Sequence, residues 1–246
     1  MSLNLTIDQG NTAAKLALWD GDRLMDLLIS PTLTPDEIER FVGSDRKVDA
    51  AIYCSVASRG QEVMEWMRAH IGRVMRLTDR TPLPIVIDYA TPHTLGADRV
   101  AASVGAWTIM PGRPLLVVDA GTAVTYDAVS ADGHFLGGNI APGMSMRLEA
   151  LHRFTARLPR VKVPWHIDYG NRFMGDDTSS AMILGAVYGI VGAVAYYRSH
   201  LPEGTQVVMT GGWASEIGRL CDFDVTVDAD LVTRGLNRIL LYNENK

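Results

Sequence analysis

The stretch Leu5–Lys15 carries the polar groups of a phosphate-binding turn between two apolar runs. A strand predicted at residues 3–7 would deliver the Asp8 carboxylate to a turn where Gly10 lets backbone N–H groups approach an anion. Asp8 would hold a hydrated Mg²⁺ while the turn holds phosphate oxygens. The spacing is not that of a GxxxxGK[ST] loop, because the apolar run after Lys15 predicts a second strand and not a helix. Alone, the pattern also fits an ordinary β-turn.

A second copy of the pattern strengthens the functional interpretation. The apolar run 115–118 leads into Asp119, 111 residues after Asp8, and the Asp-Gly turns at Asp20 and Asp132 are offset by 112 residues. Two strand hairpins at a nearly constant offset predict a duplicated unit. Chance similarity between glycine-containing turns is the alternative.

Composition agrees with two lobes. The chain has 246 residues, enough for two cores of about 110 to 130 residues each. We predict an α/β fold of two ribonuclease-H-like lobes with mixed sheets flanked by helices, spanning 1–112 and 113–246. With 47% apolar and 21% charged residues, a net charge of −5 and a pI near 5.7, the chain lacks the basic balance of a nucleic-acid-binding protein.

The remaining global features predict a cytoplasmic protein. Cys54 and Cys221 have no His or Cys at metal-ligand spacing, as expected for buried thiols in a reducing compartment. The N-terminal residues lack the features of a signal peptide. The uncharged run 181–197 is at the short limit for a membrane span, so we expect a helix buried between lobes or between subunits, and no membrane contact.

A further candidate site lies at Gly96-Ala97-Asp98-Arg99, ahead of apolar residues at helical spacing. Asp98 could act as a general base toward a hydroxyl group, and Arg99 could bind an anion. The alternative is structural: an acidic residue suits the first turn of a helix, and a glycine ends the preceding loop.

Helices are also predicted from apolar periodicity and from start and stop residues. Besides a strand at 85–88, the predicted helices are 35–42, 61–71, 144–154, 179–197, 214–220 and 231–242.

Together these motifs resemble type III pantothenate kinases over nearly the whole chain. The resemblance rests on DQGNTAAK at 8–15, Tyr89, GADR at 96–99, VVDAGTAVTYD at 117–127, GGNIAPGM at 137–144, Leu158-Pro159, DTSSAM at 177–182 and TGG at 210–212. Many relatives have Asn where this chain has Asp177, which concerns only the substrate wall.

The resemblance implies ATP-dependent phosphorylation of the 4′-hydroxyl of pantothenate, the first step of coenzyme A synthesis, by a homodimer. Asp98 would be the proton acceptor, Asp119 would bind a monovalent cation (K⁺ or NH₄⁺), and Asp8 would bind Mg²⁺ through water. The ATP-binding residues would be Asp8, Gln9, Gly10, Asn11, Thr12, Ala13, Ala14, Lys15 and Thr122. The pantothenate-binding residues would be Tyr89, Gly96, Ala97, Asp98, Arg99 and Thr178.

Three alternatives stay open. A regulatory, transcription-accessory protein on the same fold would be expected to lose Asp98 or Lys15, and both are present. Another small-molecule kinase of the superfamily is disfavoured by GADR and by the small size. A polymerising actin-like ATPase would be expected to have larger lobes.

Overall fold

The computed structural model describes residues 3–55, 60–163 and 172–244. The chain forms two compact units. The first comprises Met1–Gly112, Gly133–Leu136 and Asp230–Lys246, and the second comprises Arg113–Asp132 and Gly137–Ala229.

Both units contain strands and helices. The first unit contains β1 (Leu3–Gln9), β2 (Ala14–Asp20), β3 (Arg23–Ser30), α1 (Pro35–Val42), β4 (Ala50–Ser55), α2 (Gln61–His70), β5 (Arg73–Arg76), β6 (Val86–Ile87), a 3₁₀ turn (Pro92–Thr94), α3 (Ala97–Ile109) and α7 (Leu231–Tyr242). The second contains β7 (Leu115–Ala120), β8 (Ala123–Val129), α4 (Met144–Phe154), α5 (Thr178–Ser199), β10 (Gln206–Thr210), α6 (Ala214–Arg219) and β11 (Val225–Val227). Strand β9 (His134–Pro142) begins in the first unit and continues in the second.

The two units repeat one sheet topology. In the first, the strand order is β3-β2-β1-β4-β5, and β1 pairs antiparallel with β2 and parallel with β4. The second sheet has the order β6-β9-β8-β7-β10-β11, in which the five strands from β9 to β11 repeat that order, and β7 pairs antiparallel with β8 and parallel with β10. Asp8 and Asp119 lie at equivalent places, near the ends of the central strands β1 and β7. This repetition agrees with the duplicated hairpins expected from the sequence.

Helices cover both faces of the first sheet. Because successive side chains of a strand point to opposite faces, Leu5 and Ile7 pack into a core with α1 and α2, whereas Asn4 faces α7. The Asn4 Nδ2 group donates to Asn237 Oδ1 at 3.1 Å, and Asn237 Nδ2 donates to the Gly21 carbonyl at 2.8 Å. Helix α7 is therefore attached to the sheet by buried hydrogen bonds as well as by apolar packing.

The second unit has its own core around α5. Buried residues of β7, β10, α4 and α6 surround this helix. Among the described residues, α5 is the one helix whose length and apolar composition would suffice for a membrane span. Its apolar character is explained by eight buried residues, among them Ile183, Val187, Ile190 and Val194, so that it is a core helix of this unit.

The predicted helices are present at the predicted places. Helix α1 begins where local signals indicated, because Thr34 caps it and shares a capping box with Glu37, and Pro35 occupies the first turn. The predicted strand at 85–88 is the short β6. The units differ from the predicted lobes 1–112 and 113–246 in one main respect: α7 belongs to the first unit, since its apolar face packs on α3 and β1.

Two glycines allow α7 to lie very close to α3. A Cβ at Gly235 would overlap the carbonyl group of Ala101, and a Cβ at Gly105 would overlap that of Leu231. The backbones of the two helices are in direct contact at these points. An added methyl group would therefore meet backbone atoms and would force the helices apart.

We therefore expect Gly235→Ala to lower the free energy of unfolding by about 2 kcal/mol or more, because the backbones must separate. Thermal unfolding of the purified variant measures this. Gly72→Ala is the matched control, since a Cβ there would meet only one atom at an ordinary 3.8 Å. Equal melting temperatures for the two variants would contradict the close crossing of α3 and α7.

Candidate active site

The first of the two turns predicted to bind phosphate, the first phosphate turn (residues 8–15), is a tight hairpin between β1 and β2. The Gly10 N–H donates to the Ala13 carbonyl at 3.1 Å, and Asp8 lies directly opposite Lys15 in the antiparallel register. Residues opposite each other share one face of a sheet, so the carboxylate and the ammonium group point to the same side. Lys15 Nζ also lies 3.6 Å from the carboxylate of Asp230, at the beginning of α7.

Asp8 lies beside Cys54 in the parallel register of β1 and β4. Burial raises the pKa of the Cys54 thiol well above its usual value, and the negative charges of Asp8 and Asp98 raise this pKa further. The thiol is fully buried and stays protonated near neutral pH. Asp8 and Cys54 therefore share the face of the first sheet that α3 and α7 cover, and the GADR segment begins α3.

The GADR segment forms the beginning of α3, as predicted. The Asp98 carboxylate accepts a hydrogen bond from the Arg99 N–H at 2.8 Å, and a Cβ at Gly96 would lie only 2.5 Å from Asp98 Oδ1. Glycine at position 96 therefore leaves room for the carboxylate. Arg99 is 6% exposed, and its guanidinium carbon lies 5.9 Å from the centre of the Tyr89 ring. Tyr89, Asp98 and Arg99 thus lie in one region of the first unit.

Gln9 points to the opposite face of the sheet, toward α2. Its side-chain oxygen accepts a short hydrogen bond from the Tyr53 hydroxyl, and burial raises the pKa of this phenol, so that the hydroxyl keeps its proton. A Cβ at Gly60 would overlap the Tyr53 hydroxyl, and the φ of +129° at Gly60 is one that other residues rarely adopt. Tyr53 and Gly60 could not be identified from the sequence, because only the fold brings them to the turn.

A polar cavity of about 570 Å³ adjoins this side of the phosphate turn. Gln9–Ala14 form one wall, and Gly60–Val63 at the beginning of α2 form another. The cavity exposes backbone and side-chain groups of the turn to solvent. Its size is that of a small-molecule site.

The second phosphate turn, with Asp119 and Thr122, lies in the second unit. A Cβ at Gly211 would lie 2.5 Å from Asp119 Oδ1, and the φ of +92° at Gly211 also favours glycine. The Gly143 N–H donates to the Thr122 carbonyl at 3.1 Å, which joins the turn to the beginning of α4. The APGM and TGG motifs therefore support Asp119 and Thr122 from two sides.

Thr178 is the first residue of α5, also in the second unit. Asp177 caps this helix: its carboxylate accepts from the Ser180 N–H at 2.9 Å, and the Asp177 N–H donates to Ser180 Oγ at 3.1 Å. Hydrogen bonds to the carboxylate from the backbone and then the side chain of Ser180 lower the pKa of Asp177. Asp177 therefore fixes the first turn of α5, and its departure from the pattern of many relatives has a structural role.

The residues around Asp8 and Asp119 fit hard cations. Carboxylate and carbonyl oxygens are the ligands that Mg²⁺ and similar ions prefer, and the close approach of Gly211 leaves Asp119 Oδ1 beside backbone atoms. In the described ranges, no group of three or more His, Cys, Asp or Glu side chains could enclose a metal. A cation here would complete its shell with backbone, water or substrate oxygens.

Solved structures of similar fold identify the class. A chain from Campylobacter jejuni, described as a candidate Baf family transcriptional activator, has a TM-score of 0.66 at 23% identity, covering 98% of this chain and 100% of that one. The activator of 2-hydroxyisocaproyl-CoA dehydratase from Clostridium difficile, solved with bound ADPNP, has a TM-score of 0.59 at 12% identity, covering 98% and 93%. The fold is that of the actin-like ATPases and sugar kinases.

Sequence comparison identifies the family within this class. A model of the type III pantothenate kinase family matches residues 4–200. Type III pantothenate kinases from Porphyromonas gingivalis and Bacteroides fragilis are each 39% identical to this chain, over 246 and 248 residues, covering 99% of it and 100% of the relatives. The chain belongs to the type III pantothenate kinase family, as its motifs indicated.

The contact between Tyr53 and Gln9 leads to a test of the phosphate turn. We expect Tyr53→Phe to raise the KM for ATP about threefold to tenfold, the scale of one lost hydrogen bond, because Gln9 would lose its anchor. Steady-state kinetics with varied ATP measure this. Tyr196→Phe, which changes an exposed tyrosine of α5, is the control. An unchanged KM for ATP in Tyr53→Phe would exclude this role.

Proposed function

We propose that this protein transfers the γ-phosphoryl group of ATP to the 4′-hydroxyl of pantothenate, forming 4′-phosphopantothenate for coenzyme A synthesis. The observation that carries the proposal is that Asp8 lies opposite Lys15 and beside Cys54, on the sheet face packed against α3, the helix that GADR begins, in a chain of this family. A phosphate-binding turn close to a carboxylate base is the minimum that an alcohol kinase needs.

In this proposal Asp98 accepts the hydroxyl proton as the oxygen attacks the γ-phosphorus and the bond to the ADP oxygen breaks. The Arg99 N–H donates to this carboxylate and holds it in place, and the absence of a side chain at Gly96 leaves space for it. The protein supplies alignment and charge, since phosphoryl transfer requires little covalent chemistry from the enzyme.

Positive charge comes from Lys15 and Arg99. We assign Lys15, with residues 8–14 and Thr122, to the phosphates of ATP, because Lys15 projects beside Asp8 from the opposite strand. We assign Tyr89, Gly96–Arg99 and Thr178 to pantothenate. Asp230, 3.6 Å from Lys15, would hold the ammonium group before ATP binds.

Two cations complete the proposed site. Asp8 would hold Mg²⁺ through water, and Asp119 would hold K⁺ or NH₄⁺. When bound, these ions would neutralise charge on the phosphates. The hairpin register orients the Asp8 carboxylate, and the contact with Gly211 orients the Asp119 carboxylate.

We also propose that the protein works as a cytoplasmic homodimer and needs neither nucleic acid nor a membrane. One side of α5 exposes small residues at helical spacing, including Gly185 and Gly189, although the helix is uncharged up to Tyr197. Beside it lies an apolar cavity of about 420 Å³, to which Phe154, 86% exposed, contributes. A partner subunit would cover this surface.

The direct test of function is an ADP-release assay with pantothenate present and absent. ADP formed only with pantothenate, together with the mass of 4′-phosphopantothenate, is the expected result. ADP formation that does not depend on pantothenate, or a preference for another alcohol, would contradict the assignment.

If Asp98 is the general base, Asp98→Asn should fold normally while kcat falls by about 10²-fold or more. Asp22→Asn, in an exposed turn of the same unit, is the control and should keep full activity. Near-normal turnover by Asp98→Asn would show that the proton goes elsewhere.

Activity should rise when Na⁺ is replaced by K⁺ or NH₄⁺ at constant ionic strength, because the Asp119 carboxylate would bind the larger ions. Asp119→Asn should abolish this difference between salts. Initial rates in the three chloride salts measure both effects, and equal wild-type rates would contradict the cation assignment.

The wild-type protein should sediment near twice 26.9 kDa. Gly189→Arg should favour the monomer, because the new charge would enter the exposed stripe of α5. It would also lie close to Arg147, whose Nη1 is 2.9 Å from the position of a Cβ at Gly189. Analytical ultracentrifugation measures the state. Because Thr178 begins the same helix, the variant should lose pantothenate binding more than ATP binding. A fully active wild-type monomer would refute the dimer.

A further inference from the structure

Another cavity of the first unit, here named the helix-end cavity, lies where α1 and α2 end. The last turn of α1, the loop that follows it and the second half of α2 form its walls. Its volume is about 300 Å³, the size of the smaller ligand sites of proteins. Among the described residues that line it, none belongs to the sets assigned to ATP and pantothenate.

The helix-end cavity is separated from the cavity beside the first phosphate turn by the length of two helices. Residues 31–33, just before α1, and residues 60–63, at the beginning of α2, line the cavity of the turn. The ten residues of α2 span about 15 Å. A ligand in the helix-end cavity would therefore leave the phosphate turn accessible.

The floor of the helix-end cavity is apolar and includes two stacked rings. Val42, Val48 and Ile71 are buried there. The half-buried indole of Trp66 stacks on the imidazole of His70, with ring centroids 4.5 Å apart and an interplanar angle of 19°. His70 Nδ1 lies 2.8 Å from the Trp66 carbonyl oxygen, which fixes the imidazole in this place. A flat ligand ring can extend this stack.

The rim of the helix-end cavity carries charges of both signs. Glu39 lies on α1 and Lys47 on the loop after it, and both side chains are exposed. Arg46 also lines the cavity, but its guanidinium group is already bonded to Asp26 Oδ2 and to the Phe41 carbonyl, each at 3.1 Å. Glu39 and Lys47 therefore offer a ligand one negative and one positive group. The ends of the two helices add partial negative charge, which favours an ammonium group.

We propose that the helix-end cavity is a binding site for a small aromatic zwitterion, a molecule with a flat ring, an ammonium group and a carboxylate, as in the aromatic amino acids. The ring packs on the Trp66–His70 pair, the ammonium group lies near Glu39, and the carboxylate lies near Lys47. This site is additional to the proposed kinase function and does not depend on it.

Three probes with one carbon skeleton test the proposal by ligand-observed NMR titration of the full-length protein. L-Phenylalanine should bind with a Kd of about 2 mM or tighter, the level expected for a ligand of its size. Phenethylamine lacks the carboxylate and 3-phenylpropionate lacks the ammonium group. Each should bind about twofold to fivefold more weakly, the scale of one exposed ion pair.

Two substitutions should reproduce these losses selectively. Lys47→Gln should weaken L-phenylalanine about twofold to fivefold and leave phenethylamine unchanged, whereas Glu39→Gln should weaken L-phenylalanine equally and leave 3-phenylpropionate unchanged. Arg68→Gln removes a charge from the same helix as Trp66 but outside the cavity, and is the matched control that should change no Kd. Because both substituted side chains are exposed, the variants should keep the wild-type melting temperature.

Saturating ATP should leave the Kd of L-phenylalanine unchanged, because the two cavities are separate. Competition with ATP would place the probe at the phosphate turn and overturn the inference. Absence of binding at about ten times the expected Kd, or a loss of affinity for all three probes alike in either variant, would overturn it as well.

Discussion

The pairing of one central strand in each unit determines where the site can form. Strand β1 has an antiparallel neighbour on one side and a parallel neighbour on the other, and β7 repeats this arrangement. The antiparallel neighbour makes the phosphate turn a hairpin. The parallel neighbour brings a second strand end to the same edge, so that Cys54 lies beside Asp8.

Because side chains alternate along β1, the two faces of its sheet carry different kinds of groups. Asp8 faces α3 and α7, and with it Lys15, Asp98 and Asp230, so that the charged groups are collected on one side. Gln9 faces α2 and is fixed by a neutral hydrogen bond. The charged groups lie on one face of the sheet, and the turn is held from the other face.

Features encoded by neighbouring residues could be predicted from the sequence. The beginning of α1 at Pro35, the Asp8 turn and the helix that begins at GADR depend on a few consecutive side chains, and they lie where they were expected. Contacts between distant residues could not be predicted. Tyr53 supports a turn 44 positions away, Asp230 meets Lys15, and Phe135 reaches Arg99 only because β9 pairs with β6. The place of α7 depends on the path of the whole chain, so local periodicity predicted its bounds but not its unit.

The return of α7 to the first unit has a consequence for synthesis on the ribosome. Because the chain emerges from its N-terminal end, the residues of β1 to α3 appear long before α7, and the entire second unit is made between them. The face of the first sheet that holds Asn4 and the glycine-lined side of α3 must wait for this last helix. The second unit can complete its core first, although its sequence comes later. A chain without α7 would therefore carry GADR on a helix that lacks one of its packing partners, and Asp98 would gain its final support only after the second unit has been made.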